Sequence, residues 1–366
     1  MNIGIDGYEA NIAQRVGIGQ YAYQLLSEIY KLDDINQYTI FLPNNPLTDM
    51  PKPRTGWTYK IGRSGSFWTI RQLPGLIKSI KLDRFFSPTH YCPWFTNLPK
   101  FISIMDLSYL KYPKMFKIKD LIQLRYLTAY SIKHAQKVFT ISEYSKKEII
   151  EQYNYPKDNI IVTYPGVNKV YTKINKFLAQ KPEIFNKYNI SKRFILFVGT
   201  LQPRKNISRL IQAFKSIESD LQLVLIGKKG WLYESILAQI NKENTNNKII
   251  YIDYIEENEL AYLYSQAICL VLPSLFEGFG MPVVEAMSMG CPVVVSNNSS
   301  LPEIAQNAGI YVNPLKTEDI GKGILKAVKL TPEERSKLIN QNYKQAQKFT
   351  WENCAKKTIE VITADI

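Results

Sequence analysis

The sequence is poor in the residues that build metal centres and disulfide frameworks. Its 366 residues include four cysteines and two histidines. The cysteines show no C-x-x-C spacing, which excludes a zinc ribbon and gives no disulfide framework. Two histidines, His90 and His134, cannot supply a histidine-rich metal site. The sequence therefore predicts that no metal is bound.

Long hydrophobic runs are also missing. The longest candidates, residues 221–226 and 268–272, have the length of buried strands, whereas a membrane span needs about 20 apolar residues. The first six residues lack a basic region followed by an apolar one, so we expect no secretory signal. These absences predict a cytoplasmic protein that does not cross a bilayer.

Acidic residues are outnumbered, with 46 Lys and Arg against 32 Asp and Glu and a formal charge of +14. Such a charge attracts polyanions, acidic lipid headgroups and nucleotide phosphates. Residues 109–119 interleave lysines with aromatic side chains, as a peripheral patch on an anionic membrane would, although a solvated loop explains them equally well. No helix-turn-helix, zinc-finger or ribonucleoprotein motif supplies base readout, so we expect no nucleic-acid partner.

Short apolar runs alternate with helical patterns along the whole chain, which is typical of parallel βαβ units. The pattern predicts strands at residues 3–5, 39–42, 85–87, 101–104, 137–141, 160–162, 194–199, 221–226, 249–252, 268–272, 292–296 and 310–313. It predicts helices at residues 20–30, 68–80, 120–133, 143–152, 207–217 and 282–289. The fold class is α/β, with two Rossmann-like domains facing each other across a deep cleft.

The composition also divides the chain into domains. A stretch rich in Pro, Asn and Lys, residues 164–183, is the predicted linker. It places the first domain at residues 1–170 and the second at residues 171–348.

The most informative motif is the stretch of residues 274–290. Pro282 suits the first position of a helix and Gly290 the position after its end, so Glu285 is expected in the first turn. Gly278 and Gly280 remove side chains from the loop before the helix, so that backbone N–H groups can approach an oxygen-rich ligand.

Two carboxylates in this motif, Glu277 and Glu285, can each accept hydrogen bonds from a pair of sugar hydroxyls. The structural alternative is that Glu277 caps the helix and Glu285 is solvated. Glu285 is flanked by apolar residues, and a carboxylate in so apolar a helix is costly without a partner. A ligand is the partner that the sequence predicts.

A second motif places Arg204 and Lys205 directly after the strand that opens the second domain, with Asn206 as the expected N-cap of the next helix. A planar guanidinium and a compact ammonium can together neutralise a diphosphate without a metal. Taken singly, an Arg-Lys pair is more often solvated, and its position after the strand is the argument for a site.

A third motif, with Gly17 and Gly19 after the first strand, is weaker evidence. It lacks a full G-x-G-x-x-G, and a tight turn explains it equally well. Facing a diphosphate site, this loop could bring backbone amides to the same anion.

At these motifs the sequence resembles the family 4 retaining glycosyltransferases of the GT-B fold, mannosyltransferases in particular. The resemblance covers nearly the whole chain and also includes residues 141–145 and 164–167. It implies a nucleoside-diphosphate sugar as donor, bound mainly by the second domain, and a glycan or lipid-linked acceptor, bound mainly by the first. It implies no further cofactor and no essential metal.

The family resemblance also implies a role for individual residues. Arg204 and Lys205 would stabilise the leaving diphosphate, Glu285 would bind the ribose, and Glu277 would bind the transferred sugar. The remaining donor-binding residues would be the loop and helix-start positions Gly278, Phe279, Gly280 and Met281, with Gly17 and Gly19 from the first domain. Residues 349–366 would form a helix that crosses back to the first domain.

One position departs from the family pattern. Many members have His-Asp where this chain has Met105 and Asp106, and a thioether cannot donate a hydrogen bond. Asp106 could assist on the acceptor side, or it could satisfy nearby backbone amides. Similarity to mannosyltransferases at residues 227–231 and 106–108 implies mannose from GDP-mannose as donor, in surface-polysaccharide assembly.

Two other functions stay open on this evidence. A nucleotide-sugar epimerase could share the fold, although it would need acid and base side chains in the cleft. A non-catalytic module that binds glycan or membrane is favoured by Met105 and by the basic first domain.

Overall fold

The computed structural model describes residues 1–15, 17–63, 68–171, 183–217, 220–244 and 248–365. The chain divides into two compact units. The first unit consists of Met1–Lys111, Ile118–Gly166 and Thr350–Ile366, and the second of Tyr112–Lys117 and Val167–Phe349. The predicted linker runs across this change of unit, and its residues 172–182 lie outside the described part of the chain.

The first unit contains a seven-stranded parallel sheet of order β3-β2-β1-β4-β5-β6-β7. Its strands are β1 (Asn2–Asp6), β2 (Gln37–Leu42), β3 (Trp57–Ile61), β4 (Arg84–Ser87), β5 (Lys100–Ile104), β6 (Lys137–Thr140) and β7 (Ile160–Val162). Its helices are α1 (Ile18–Leu32), α2 (Leu73–Lys78), α3 (Ser108–Lys111), α4 (Ile118–His134) and α5 (Glu143–Tyr153).

The second unit contains a six-stranded parallel sheet of order β10-β9-β8-β11-β12-β13. Its strands are β8 (Phe194–Val198), β9 (Gln222–Ile226), β10 (Ile249–Ile252), β11 (Leu270–Leu272), β12 (Val293–Ser296) and β13 (Gly309–Val312). Its helices are α6 (Glu183–Tyr188), α7 (Ile207–Lys215), α8 (Glu234–Glu243), α9 (Glu257–Gln266), α10 (Met281–Ser288), α11 (Leu301–Ala305), α12 (Thr317–Val328) and α13 (Pro332–Ala346).

The last helix, α14 (Trp351–Thr363), belongs to the first unit. Its Trp351 ring meets the Tyr21 ring of α1 edge to face, with the centroids 5.8 Å apart. Gly166 allows this approach, since a Cβ there would lie 1.9 Å from the backbone nitrogen of Trp351. Helix α14 therefore packs on the first unit.

Both sheets form for the same physical reason. Strand β8, with sequence FILFV, is apolar throughout and buried except for the half-buried Val198, and β12, with sequence VVVS, is fully buried and apolar up to its last residue. Such apolar runs are typical of parallel strands that are covered on both faces. Both strand orders reverse direction beside the first strand of the unit, between β1 and β4 and between β8 and β11. Ligands in such sheets bind beyond the carboxyl ends of the strands at this switch point.

The structure departs from the sequence prediction in two places. Strand β3 was not predicted, because at the edge of the sheet its residues 58–61 are only partly buried and carry no clear apolar pattern. The helix expected over residues 68–80 is a wide π-type turn at Trp68–Gln72 followed by the short helix α2. Within the described residues, no helix has the length and apolarity to span a membrane.

Candidate functional site

Two loops of the second unit meet at its switch point. The turn Pro203–Lys205 follows β8, and residues 273–280 follow the neighbouring strand β11. The backbone N–H of Leu275 donates to the carbonyl of Arg204 at 2.9 Å, and Nη1 of Arg204 donates to the carbonyl of Phe276 at 2.7 Å. The two loops are therefore held together by both backbone and side chain.

The carboxylate of Glu277 is buried between the two predicted cations. Its Oε1 accepts hydrogen bonds from Lys205 Nζ and from Ser274 Oγ, both at 2.6 Å. Its Oε2 lies 3.4 Å from Arg204 Nη1. Burial raises the pKa of Glu277, but Lys205 and Arg204 lower it more, so the net pKa lies below the usual value. Glu277 is therefore ionised at neutral pH.

Buried polar atoms without partners adjoin this ion cluster. In the described part of the chain, Arg204 Nε and Gln202 Oε1 have no hydrogen-bond partner. An unsatisfied buried polar group costs about 1–3 kcal/mol. The site thus retains a donor and an acceptor that an incoming ligand can satisfy.

Asn206 occupies the N-cap position of α7, as predicted, but its side chain makes no capping hydrogen bond to the helix backbone, and its φ is +61°. Its Oδ1 accepts a hydrogen bond from Arg209 Nη1 at 2.9 Å. Its amide nitrogen donates to the carbonyls of Pro273 and Pro314, at 2.9 and 2.7 Å. The Asn206 side chain therefore also anchors the loop after β11.

Glu285 lies on α10, one residue further from the start of the helix than predicted. The helix begins at Met281 instead of Pro282, with Gly280 at the N-cap in a left-handed conformation (φ +97°), so Glu285 falls in the second turn. The structural alternative in which Glu277 caps this helix is not observed.

Glu285 has a protein partner that the sequence did not reveal. The hydroxyl of the buried Tyr264 donates to its Oε2 at 3.0 Å. Burial raises the pKa of Glu285 to about 7, although the hydrogen bond from Tyr264 opposes the shift. Three of the four predicted side chains, Arg204, Lys205 and Glu277, are in direct contact, whereas Glu285 contacts Tyr264.

Two contributors to this site were missed from the sequence. Ser274, three residues before Glu277, offered a weak signal as a hydroxyl close to an acid. Tyr264 offered none, because it lies on α9 and reaches Glu285 only through the packing of α9 against α10.

In the first unit, the loop glycines lie at the start of α1. Gly17 has φ +50° and a Cβ position with no described atom within 4 Å, whereas a Cβ on Gly19 would lie 3.1 Å from the Glu9 carbonyl. Gly17 therefore leaves open space beside the first residue of α1, and Gly19 lets α1 pack closely against the backbone at Glu9. The roles of both in donor binding stay predictions.

Met105 and Asp106 follow β5 in the same unit. Met105 is buried, and Asp106 accepts a hydrogen bond from the backbone N–H of Ser108 at 2.9 Å. The carboxylate therefore satisfies a backbone amide, as one of the two interpretations predicted. Elsewhere in the described residues, no group of three or more His, Cys, Asp or Glu side chains is arranged to hold a metal.

The aromatic side chains of the predicted membrane patch are mostly packed inside the protein. Tyr109 is buried in the first unit. Tyr112 donates to the Leu275 carbonyl at 3.2 Å, and the Phe116 ring lies 5.3 Å from that of Trp231. The interleaving of lysines and aromatics at 109–119 therefore does not correspond to an exposed aromatic surface.

Comparison with known protein families gives a match for the second half of the chain. Residues 180–345 match the family model described as "Glycosyl transferases group 1". O-antigen chain mannosyltransferase B of Escherichia coli is 35% identical over 227 residues, which cover 61% of this chain and 59% of that protein. The chain spans about three fifths of the length of the first curated relatives that it matches.

Solved structures establish the fold over the whole chain. Sucrose-phosphate synthase of Thermosynechococcus elongatus has a TM-score of 0.79 at 18% identity and covers 98% of both chains. Anabaena HepE, solved in complex with UDP-glucose, has a TM-score of 0.75 at 15% identity and covers 99% of both chains. The fold is GT-B, as the resemblance implied.

The buried ion cluster makes a prediction about stability. Glu277→Ala leaves the Lys205 ammonium without its carboxylate, and breaking a buried pair in this way costs about 3–5 kcal/mol. In the double variant with Lys205→Ala, we expect a loss smaller than the sum of the two single losses, measured by chemical denaturation. Glu243→Ala, which breaks the exposed ion pair with Lys215, is the matched control and should change stability little. Additive losses would contradict the contact.

The raised pKa of Glu285 makes a second prediction. Because the folded pKa, about 7, exceeds that of an unfolded glutamate, the native state binds the proton more tightly, and this stability is lost as the pH rises through 7. Glu285→Gln should therefore melt at a higher temperature than the wild type at pH 8 and at a similar one at pH 5. The exposed Glu234, changed in the same way, is the control. A difference that does not vary with pH would contradict the assigned burial.

Proposed function

We propose that this protein is a metal-independent retaining glycosyltransferase. It moves a hexose from a nucleoside-diphosphate sugar to a glycan or glycolipid acceptor in surface-polysaccharide assembly. The observation that carries the proposal is the cluster of Arg204, Lys205 and Glu277 at the switch point of the second unit, within the region that matches the glycosyltransferase family model.

The charge of the cluster supports diphosphate binding. Two cations face one carboxylate, so the cluster keeps a net positive charge. The unpartnered Nε of Arg204 adds a buried donor that a phosphate oxygen can satisfy. These groups are fixed before the donor arrives, so they can stabilise the charge that develops on the leaving diphosphate.

The carboxylates support sugar binding. Oε1 of Glu277 already accepts two short hydrogen bonds. Among the described residues, Oε2 contacts Arg204 alone, at 3.4 Å, and can accept a sugar hydroxyl. Glu285, oriented by Tyr264, accepts the ribose hydroxyls once it is ionised. The backbone at Gly278, Phe279, Gly280 and Met281 supports sugar and phosphate.

The proposed reaction transfers the hexose from the diphosphate of the donor to a hydroxyl of the acceptor. The bond between the anomeric carbon and the phosphate oxygen breaks, and the acceptor oxygen bonds to that carbon on the same face. The acceptor proton passes to the departing phosphate, so the diphosphate acts as the base and the configuration is retained. Met105, Asp106, Gly17 and Gly19 are the proposed contributions of the first unit, on the acceptor side and at the phosphates.

Mannose from GDP-mannose is the proposed donor. It is supported by the name of the Escherichia coli relative, an O-antigen chain mannosyltransferase. The UDP-glucose complex of Anabaena HepE makes UDP-sugars the donors to test beside it.

The test is nucleotide release in the presence of EDTA. The protein is incubated with GDP-mannose, UDP-glucose or UDP-galactose and a panel of alkyl glycosides, and the nucleoside diphosphate and the anomeric configuration of the product are measured. We expect release from GDP-mannose and a retained configuration. Lys205→Ala should abolish most of the release, while Lys322→Ala on α12 should not.

Other outcomes would contradict the proposal. Failure of every nucleotide sugar to bind at millimolar concentration would overturn it. A donor isomerised without acceptor would indicate an epimerase, and tight binding without any turnover would indicate a non-catalytic module.

A peripheral contact with an anionic membrane is the proposed way to reach a lipid-linked acceptor. The surface that supports it is helix α4, where Ile118, Ile122 and Tyr126 are exposed by 77%, 52% and 73%. Residues four apart share a helix face, and Lys119 and Lys133 lie seven residues on either side of Tyr126, on the same face. Apolar side chains interleaved with lysines fit the headgroup region of an anionic bilayer.

Vesicle co-sedimentation tests this surface. The variant Ile118→Ser/Ile122→Ser should lose most of its binding to vesicles of phosphatidylglycerol and phosphatidylcholine. The variant Lys119→Ala/Lys133→Ala should bind these vesicles more weakly, and its binding should depend less on the salt concentration. The control Lys322→Ala/Lys326→Ala removes two exposed lysines of α12. Equal binding by the wild type and the α4 variants would exclude this face.

A further inference from the structure

The first unit has its own switch point, and His90 lies beside it. Strand β4 pairs with β1 on one side and with β5 on the other, all parallel, so their carboxyl ends share one edge of the sheet. His90 follows the end of β4 by three residues, and Asp106 follows the end of β5 by two. The hydroxyl of Ser87 donates to the Thr89 carbonyl at 3.1 Å, which fixes the turn that presents His90.

The imidazole of His90 has a buried nitrogen that the protein does not satisfy. Its Nδ1 has no hydrogen-bond partner in the described part of the chain. The ring lies beside that of Tyr91, with the centroids 6.3 Å apart. His134, by contrast, is exposed, and its Nδ1 lies 2.8 Å from the Tyr130 carbonyl.

The neighbouring charge defines the chemistry that this nitrogen can offer. Burial lowers the pKa of His90, and the Asp106 carboxylate opposes the shift without reversing it. A neutral imidazole has one donor and one acceptor nitrogen. A hydroxyl group can both donate and accept, so it fits Nδ1 in either tautomer, whereas a phosphate would meet the Asp106 carboxylate with like charge.

We propose that His90 and Asp106 form a hydroxyl-binding site for an uncharged saccharide, the acceptor of the transfer reaction. The saccharide hydroxyl bonds to Nδ1 of His90, and a neighbouring hydroxyl donates to the Asp106 carboxylate. This assignment rests on the proposed function and adds a residue and a ligand class to it.

The presence of only two histidines makes the site directly observable. In protein labelled with ¹⁵N, long-range ¹H–¹⁵N correlation gives one imidazole pattern for His90 and one for His134. Methyl α-mannoside, methyl α-glucoside and methyl N-acetyl-β-glucosaminide are titrated separately into the full chain. We expect at least one of them to shift the Nδ1 signal of His90 and none to shift that of His134.

A kinetic comparison separates binding from packing. His90→Phe keeps a ring of similar size and should raise the acceptor KM about tenfold, the loss of one hydrogen bond of about 1.4 kcal/mol. The donor KM and the melting temperature should stay unchanged. His134→Phe is the matched control.

The result that overturns the site is distinct from failure of the proposed function. No saccharide-dependent shift at His90 with any of the three probes, or equal changes in donor and acceptor KM in His90→Phe, would overturn it. Binding of GDP or UDP to the same samples is measured by calorimetry. If the nucleotide binds and His90 does not respond, this inference alone is wrong; if neither binds, the proposed function fails as well.

Discussion

One buried carboxylate, that of Glu277, holds the second unit's site together. It bonds at once to the turn after β8, through Lys205, and to its own loop after β11, through Ser274. Without it, two cations would lie close together at a buried strand edge, where their repulsion is screened little by water. The geometry of the loop after β11 therefore depends on contacts that Glu277 makes within the protein.

The carboxylate of Glu285 differs from that of Glu277, because its pKa is raised rather than lowered. Glu285 accepts a hydrogen bond from Tyr264 in surroundings that raise its pKa to about 7, so its charge adds nothing to the stability of the fold. A residue that destabilises the fold at neutral pH is typical of a functional position. Glu277 and Glu285 thus differ in their surroundings: Glu277 is ionised and bonded to both loops, whereas burial disfavours the charge of Glu285.

Local pattern predicted most of the fold, because buried parallel strands such as β8 are apolar along their whole length. It missed the edge strand β3, which carries both apolar and polar side chains, and it placed the start of α10 one residue too late. Local pattern could not predict contacts between residues that are far apart in the sequence. Nothing near Glu285 in the sequence indicates its hydrogen bond with Tyr264, and nothing near Tyr112 indicates its hydrogen bond with the Leu275 carbonyl. The motifs predicted that the acids and the cations lie in one site, but the packing of the fold decides that Glu277 contacts Lys205 and that Glu285 contacts Tyr264.

A crystal structure of the protein with bound nucleoside diphosphate tests the central claim most directly. The account predicts the two phosphates within hydrogen-bond distance of the Arg204 guanidinium and the Lys205 ammonium, and the ribose hydroxyls on the Glu285 carboxylate. A nucleotide bound elsewhere, with Lys205 and Arg204 contacting only Glu277 and the protein backbone, would contradict it.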